Sequence, residues 1–290
     1  MKSYYDIVGD GGSNVAGQVA EQRSRIARRL AGVRHMLAVG SGKGGVGKST
    51  FTSQLAAALR AGGRDVAILD ADLNGPTQAR LGGLSEATLV PGADGLLVPR
   101  SACGVGVVSL GSVVPESEAV DFDSVSEGES HTWRATREFT LLGELLERVD
   151  WGRQDYLLVD LPPGAERTLQ YAEFLGAGVT FVVVTVPSDL SRGVVARSVA
   201  ALRKTPNRVL GYVENMNGYY CEGCDEIRPL FPDGVGVDLD VPRLGSVPFD
   251  PALAVACDRG ESLGFDSERP AVRAVFEIAA RIERELEATS

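Results

Sequence analysis

The glycines and lysines of Ala38–Arg60, AVGSGKGGVGKSTFTSQLAAALR, have the spacing of a phosphate-binding loop. The centre fits G-x-x-x-x-G-K-[ST] in full, between a strand-like and a helix-like run. Backbone N–H groups of such a loop surround phosphate oxygens, and the helix N-terminus adds its positive dipole end. The candidate nucleotide-binding residues are Gly42, Lys43, Gly44, Gly45, Val46, Gly47, Lys48, Ser49 and Thr50. We expect Lys48 to reach the β- and γ-phosphates and the Ser49 hydroxyl to bind Mg²⁺.

Acidic side chains end two further strand-like runs, as in enzymes that hydrolyse nucleotides. AILDADLNGP carries Asp70 and Asp72, and YLLVDLPPG carries Asp160. Carboxylates in these places can orient the attacking water and support Mg²⁺. We therefore expect Asp72 to be catalytic, and Asp70 and Asp160 to support the metal. The turn Pro162–Gly164 could respond to the γ-phosphate, as switch loops do.

Lys43 is a second lysine in a loop that ordinarily needs one. From the second position of the loop it cannot easily curl back onto its own γ-phosphate. It could instead cross a two-fold interface to the partner's nucleotide and stabilise transition-state charge, as an arginine finger does. This hypothesis makes Lys43 catalytic and the protein a homodimer. The alternative is a lysine that faces solvent and has no role.

The elements that must position these residues alternate along the chain. Near-continuous apolar runs typical of strands covered on both faces are HMLAVGS, DVAILDAD, VGVVSLG, DYLLVDLP, TFVVVTVP, RVLGYVEN and RLGSVPF. Helix-like patterns such as Ser49–Arg60 and Leu190–Lys204 lie between some of them. The alternation predicts an α/β fold of one domain: a mostly parallel, doubly wound sheet with helices on both faces, as in P-loop NTPases.

Three segments do not follow this alternation of strands and helices. Residues 1–31 form an N-terminal extension with an arginine-rich helix at Val15–Leu30, which either packs on its own domain or lies on a membrane surface. The ATPase domain is then 32–290. Within this domain, an acidic stretch at about 114–139 is predicted to be a surface loop. The apolar spacing of Ala271–Leu286 predicts a C-terminal helix, at about 270–288, that packs on the sheet.

Charge and composition narrow the classes of partner. The 39 acidic and 29 basic residues give a net charge of −10, which disfavours broad binding to nucleic acid or anionic membrane. No apolar run approaches the length of a membrane span, and the N-terminus lacks a signal-peptide core. We expect a cytoplasmic protein without nucleic-acid or stable membrane partners. Its cysteines are then reduced: Cys103, Cys221, Cys224 and Cys257.

The loop KGGVGKST is that of the deviant Walker-A class, which includes MinD, ParA, the arsenite pump ATPase and the nitrogenase iron protein. Over about Arg34–Gly260 the chain resembles the Mrp/ApbC family of iron–sulfur cluster carrier ATPases. The stretches that carry the resemblance are DADLNGPT, DYLLVDLPPG, GYVENMNGYYCEGC and LGSVPFDPALAVACDRG. The resemblance implies that Lys43 acts in trans across a homodimer. Similarity to the wider deviant Walker-A class implies that Asn215 reads the adenine edge. The segment Pro248–Pro251 would lie near the base, so Pro248 and Asp250 are further candidate nucleotide-binding residues.

The family's other mark is the C-x-x-C of Cys221 and Cys224. A [4Fe–4S] cluster takes four thiolates, so two chains that share one cluster would satisfy the count. Zinc shared in the same way, a dithiol redox pair and a structural role stay open. The loop-like setting disfavours the redox pair, which usually opens a helix. Cys103 and Cys257 are better explained as small core residues.

The function that the resemblance implies is an ATPase that binds ATP and Mg²⁺, holds a labile [4Fe–4S] cluster between two chains and passes it to apo-proteins. A ParA/MinD-type positioning ATPase is the alternative, and an electron-donating iron protein is a second one. The chain departs from the family pattern near the switch: Ala165–Arg167 stands where Thr-Gly-Asp is usual, Ser188 where Gln is usual, and Val194 where Asp is common.

Overall fold

The computed structural model describes residues 15–72, 77–109, 130–231, 239–261 and 268–288. The described helices are α1 Val15–Arg29, α2 Lys48–Ala61, α3 Gln78–Leu81, α4 Ser130–Arg148, α5 Ala165–Leu175, α6 Asp189–Leu202, α7 Pro251–Asp258 and α8 Pro270–Glu287, with a 3₁₀ turn at Leu30–Gly32. The described strands are β1 Val33–Ser41, β2 Val66–Asp70, β3 Val90–Pro91, β4 Leu96–Leu97, β5 Gly106–Ser109, β6 Val149–Asp150, β7 Gln154–Asp160, β8 Val179–Thr185, β9 Arg208–Cys221, β10 Glu226–Pro229 and β11 Arg243–Phe249.

Within these residues one large sheet has the order β10-β9-β8-β1-β7-β2-β5, with β11 also paired to β9. All its pairs are parallel except β9 with β10. The register puts Asp160 beside Val39 of β1 on one side and Asp70 of β2 on the other. The carboxyl ends of β1, β7 and β2 therefore meet at one edge, which is where α/β sheets bind ligands.

Helices cover both faces of the sheet, so the predicted doubly wound α/β architecture is confirmed. Apolar residues of α2, α7 and α8 pack with one face, and those of α4, α5 and α6 pack with the other. Strand β2 is buried throughout its length, and β1, β7 and β8 are buried over their last five residues. This two-sided cover explains why the strands read as continuous Val, Ile and Leu runs.

The predicted acidic loop is wrong over its last part, because α4 begins at Ser130. Leu142, Leu145 and Leu146 of this helix are buried against the sheet, and the partly buried Phe139 joins them. Their 3.6-residue spacing drives the helix, and the helix extends back into the segment expected to be a loop. The rest of the predicted loop, 114–129, lies outside the described residues.

The two terminal helices predicted from the pattern are present. Helix α1 packs on α4, where Arg25 Nε lies 2.6 Å from Glu147 Oε1 and Arg29 Nε donates to the Glu147 carbonyl. Helix α8 buries its apolar side against β11 and α2. Among the described helices, none combines the length and the apolar character that a bilayer span requires.

Candidate functional site

The phosphate-binding loop joins β1, which ends at Ser41, to α2, which begins at Lys48. Gly45 and Gly47 have left-handed backbones, with φ of 76° and 77°, which glycine adopts most easily. A Cβ at Gly47 would also lie 2.2 Å from Nδ2 of Asn215. The first N–H groups of α2 have no acceptor inside the helix. Loop and helix start therefore offer donors to an anion.

The ammonium of Lys48 lies beside the end of β7. Its Nζ is 2.6 Å from Oδ1 of Asp160 and 3.2 Å from the Ser49 hydroxyl oxygen. Lys48 is 6% exposed and Asp160 is 0% exposed, so each buried charge depends on the other. Ser49 and Asp160 thus lie within reach of one ammonium and supply the oxygen donors that Mg²⁺ prefers. The chemistry of these two, among the three predicted metal ligands, fits a magnesium ion.

Asp70 lies beside Asp160 in the sheet. Its carboxylate accepts hydrogen bonds from the backbone N–H groups of Asp72, Thr77 and Gln78, at 3.2, 2.8 and 2.9 Å. Burial, and then the charge of Asp160, raises the pKa of Asp70 to about 7. These bonds tie Asp72 and the start of α3 to the end of β2. Its contact with Mg²⁺ stays a prediction.

Asp72 and Lys43, the other residues predicted to be catalytic, are each partly exposed. The charge of Asp72 acts on the Tyr171 hydroxyl. Burial is the main cause that raises the pKa of this hydroxyl, Glu138 raises it further, and Asp72 contributes more weakly. The Lys43 carbonyl accepts a hydrogen bond from the Ser41 hydroxyl. Its ammonium contacts no acceptor among the residues that the structure describes. The catalytic roles of Asp72 and Lys43 stay predictions, since they require a nucleotide and a second chain.

A cavity of about 310 Å³ opens beside the start of α2. Three residues predicted to lie near the base form part of its wall: Asn215, Pro248 and Asp250. The Asn215 amide donates to the Val46 carbonyl at 2.8 Å, which fixes it against the phosphate loop. Asp250 caps α7 by accepting from the N–H of Ala252. The three residues converge on one cavity of a size suited to a nucleobase.

The C-x-x-C segment forms the turn of a β-hairpin. Cys221 ends β9 and pairs with Glu226, the first residue of β10. Both thiols are free, and Cys224 is exposed while Cys221 is partly so. The guanidinium of Arg228 lies 3.3 Å from Sγ of Cys224. The predicted loop-like setting is confirmed, and it differs from the helix start at which dithiol redox pairs are usual.

The two thiols affect each other's ionisation. Hydrogen bonding from the Cys224 thiol is the main cause that lowers the pKa of Cys221, and the backbone N–H groups of Cys224 and Gly223 lower it further. The same bond between the two thiols raises the pKa of Cys224. Metals bind the thiolate form. Within the described ranges, no group of three or more His, Cys, Asp and Glu side chains could hold a metal ion. Two thiolates per chain therefore fit a cluster, or a zinc ion, that two chains share.

Arg269 lies between the base cavity and the C-x-x-C hairpin. Its guanidinium contacts both carboxylate oxygens of Asp250, at 2.5 and 2.7 Å. Its Nη1 lies 2.6 Å from Oε1 of Glu222, which stands between the two cysteines. Its Cζ also lies 5.2 Å from the ring centroid of Tyr220. One side chain thus joins the cavity wall to the hairpin turn.

Changing Arg269 to alanine should lower the free energy of unfolding by about 3 kcal/mol, because the carboxylate of Asp250 would lose its ion partner. That carboxylate is 0% exposed. Urea denaturation followed by circular dichroism measures the change. Arg273→Ala, on the exposed side of α8, is the control and should shift stability by less than about 0.5 kcal/mol. Equal losses in both variants would contradict this account.

One of the departures from the family pattern, Ala165–Arg167, forms contacts near the switch turn. Arg167 forms an ion pair with Glu138 of α4, and its guanidinium lies over the Tyr171 ring. The Tyr171 hydroxyl lies within hydrogen-bond distance of Glu138 and of the Ala71 carbonyl. The neighbouring Glu166 is exposed. Helix α5 is therefore tied to α4 by Arg167, and by Tyr171 to Ala71, which follows β2.

The other two departures support local structure. Ser188 caps α6, and its side chain accepts a hydrogen bond from the N–H of Ser191. Val194 lies against the phosphate loop, since a Cβ at Gly42 would be 2.8 Å from its Cγ1. The switch turn is held to the same region by the Gly164 N–H, which donates to the Ser41 carbonyl at 2.8 Å.

Sequence reasoning missed Gln78 and Arg269. The buried amide of Gln78 donates to Asp160 and to the Ser49 carbonyl. Neither residue belongs to a motif, and a lone Gln or Arg is ordinary at a helix start. The nearest signal is position, since Gln78 follows the DADLNGPT stretch directly.

Comparison with known proteins identifies the family. Residues 32–283 match the model of a family described as "ParA: NUBPL iron-transfer P-loop NTPase". The chain is 39% identical over 272 residues to the human "Cytosolic Fe-S cluster assembly factor NUBP2", covering 90% of this chain and 95% of that protein. It is 32% identical over 249 residues to the "Iron-sulfur cluster carrier protein" of Saccharolobus solfataricus, covering 84% and 81%. The resemblance inferred from the motifs is confirmed.

Solved structures agree in fold. A nucleotide-binding protein from Archaeoglobus fulgidus in complex with ADP superposes with a TM-score of 0.72 and 30% identity, covering 87% of this chain and 96% of that one. The septum site-determining protein MinD of Pyrococcus horikoshii, complexed with Mg-ADP, gives a TM-score of 0.60 at 19% identity and shows the fold alone, with 88% and 98% covered. The chain belongs to the NUBPL family of iron-transfer P-loop NTPases.

Proposed function

We propose that the protein is a cytoplasmic ATPase that binds a labile [4Fe–4S] cluster at a homodimer interface and transfers it to apo-proteins. The names of its relatives, a cytosolic iron–sulfur assembly factor and an iron–sulfur cluster carrier, support the proposal. The observation that carries it is the course of β9, which runs from Asn215 in the wall of the base cavity to Cys221 in the exposed hairpin turn.

In this proposal the chain's own residues bind and orient the nucleotide. Lys48 turns from Asp160 to the β- and γ-phosphates, and Asp72 orients the attacking water. Mg²⁺, held by Ser49 and Asp160, supplies charge neutralisation on the phosphates. Asn215 faces the base, because an amide offers both a donor and an acceptor to an adenine edge.

The cluster is cargo in this proposal. Cys221 and Cys224 of two chains supply four thiolates, and Lys43 of each chain reaches the partner's nucleotide. ATP binding closes the dimer and hydrolysis reopens it, which exposes the cluster to apo-proteins. Arg269 provides a physical connection between the two sites, since it contacts Asp250 in the cavity wall and Glu222 in the hairpin.

The alternative, a ParA/MinD-type positioning ATPase, would need a surface for DNA or membrane. The amphipathic α8 does not offer one, because Val275, Ile278 and Ile282 are buried in the core. The likeness to MinD is one of fold. The exposed C-x-x-C hairpin favours the carrier.

Lys43→Ala should lower the rate of ATP hydrolysis about 1000-fold and change the Kd for MgATP by less than about 2-fold. The reason is that Lys43 acts on the partner's transition state, whereas Lys48 binds the phosphates. Steady-state phosphate release and calorimetric titration measure the two quantities. Lys204→Ala, at the exposed end of α6, is the control and should match the wild type. Normal hydrolysis by Lys43→Ala would refute the role in trans.

Cluster transfer tests the proposed function directly. Reconstituted protein is mixed anaerobically with an apo-enzyme whose activity returns with a [4Fe–4S] cluster, in the presence of MgATP or of MgADP. We expect transfer faster with MgATP than with MgADP for the wild type, and equal rates for Lys43→Ala. A protein that holds no cluster, or one that keeps its cluster in the presence of the apo-enzyme, would contradict the carrier function.

A further inference from the structure

Gln78 holds the carboxylate that is expected to support the metal. It is the first residue of α3 and is 1% exposed. Its Nε2 donates to Oδ2 of Asp160 at 2.8 Å and to the Ser49 carbonyl at 2.9 Å. One buried amide therefore contacts two of the three residues that we assign to Mg²⁺, Ser49 and Asp160.

The amide has a single reasonable orientation. A carboxylate oxygen and a carbonyl oxygen are both acceptors, so the NH₂ end must face them. A flipped amide would place Oε1 against the Asp160 carboxylate. The oxygen thus faces away from both, and it has no hydrogen-bond partner among the described residues. Buried polar atoms in native proteins are nearly always paired, so in the described part of the chain this acceptor is open to a donor that arrives with a ligand.

The backbone of Gln78 is fixed as firmly as its side chain. Its N–H donates to Oδ2 of Asp70 at 2.9 Å, while its amide reaches the neighbouring strand. The other oxygen of the Asp160 carboxylate, Oδ1, is bound by Lys48 and by the Thr52 hydroxyl. When Lys48 turns to a phosphate, Gln78 and Thr52 are the contacts that keep the Asp160 carboxylate in place.

We propose that Gln78 is a positioning residue for the nucleotide-bound divalent cation: Nε2 orients the Asp160 carboxylate and Oε1 accepts a hydrogen bond from a water of the cation's hydration shell. Magnesium in nucleotide sites keeps several of its waters, and those waters are strong donors. Partners of this kind commonly contribute 10- to 100-fold to metal affinity. The proposal rests on the nucleotide-binding part of the proposed function and is independent of the iron–sulfur part.

The test is the ratio of two dissociation constants for ADP, one measured with EDTA and one with excess Mg²⁺, by calorimetry on the full chain. Gln78→Met keeps the size of the side chain but removes the amide. We expect it to reduce the ratio about 10-fold, with the constant in EDTA unchanged within about 2-fold. Gln78→Asn, one methylene shorter, keeps a polar group and should reduce the ratio as well. It provides the measurement if Gln78→Met fails to fold.

Gln154→Met is the matched control. Gln154 is also buried, its Nε2 donates to the Trp151 carbonyl at 2.7 Å, and its Oε1 is likewise unpaired in the described part of the chain. It lies at the start of β7, whereas Asp160 ends that strand. We expect the wild-type ratio for this variant. An unchanged ratio in both Gln78 variants, or an equal fall in Gln154→Met, would overturn the proposal. Loss of ADP binding by the wild type itself would instead refute the nucleotide-binding function.

Discussion

Lys48→Ala should raise the Kd for MgATP by about 100-fold or more. The ammonium can form charge-assisted hydrogen bonds with both the β- and γ-phosphates, each contributing about 1.5–3 kcal/mol, and every 1.4 kcal/mol lost weakens binding about tenfold. Calorimetric titration with MgATP, or displacement of a fluorescent analogue, measures the change.

The same substitution should destabilise the nucleotide-free protein. Asp160 is 0% exposed, and Lys48 is its cationic partner at 2.6 Å. Loss of that partner is expected to reduce the free energy of unfolding by about 3 kcal/mol, although Thr52 and Gln78 still donate to the carboxylate. The titration must therefore be made well below the melting temperature of the variant.

Lys43→Ala is the control for Lys48→Ala, since it removes an ammonium from the same loop. It should retain the wild-type affinity for MgATP. If Lys48→Ala bound MgATP normally, this loop would not be the phosphate site and the nucleotide mechanism would be wrong. If both variants lost affinity equally, the two lysines would share one role.

Anaerobic reconstitution with iron and sulfide should give about two iron atoms per chain for a bridging [4Fe–4S] cluster, and the pair Cys221→Ala/Cys224→Ala should reduce this to background. The reason is that these thiols are free, at least partly exposed and close together in one turn. Iron per chain, visible absorbance and oligomer mass are measured together.

The matched control for this pair replaces the other two cysteines. Cys257 lies in α7 and is buried, and Cys103 is only partly exposed, in contact with Ser101. Cys103→Ala/Cys257→Ala should bind iron as the wild type does. Zinc bound through Cys221 and Cys224 in place of iron would refute the carrier and favour a structural metal. Iron that survives the loss of Cys221 and Cys224 would show that the cluster lies elsewhere.

The sequence predicted the sheet well where burial is two-sided. The strands that end in Ser41, Asp70 and Asp160 overlap the runs predicted for them, HMLAVGS, DVAILDAD and DYLLVDLP. The prediction was weaker at the edge, where RVLGYVEN stopped at Asn215 but β9 continues to Cys221. Only Gly218 of the added residues is buried, and their strand conformation depends on pairing with β10 and β11. Such pairing leaves little trace in local hydrophobicity.

By itself, the sequence determined the phosphate loop, because its chemistry is local. Glycines at fixed spacing, one lysine and a helix start within a single short segment specify it, and the structure gives Gly45 and Gly47 the left-handed backbones that such a loop needs. The C-x-x-C turn was equally readable, since Cys221 and Cys224 lie three residues apart.

Tertiary structure alone decided which ordinary residues support these motifs. Gln78 contacts Asp160, which lies 82 positions later in the chain. Arg269, at the start of α8, contacts Glu222 in the hairpin turn. These contacts depend on strand order and helix packing, because the side chains that meet belong to different elements. No spacing pattern in a sequence identifies the partner of a single glutamine or arginine. These contacts could therefore be found only from the positions of the elements in the folded structure.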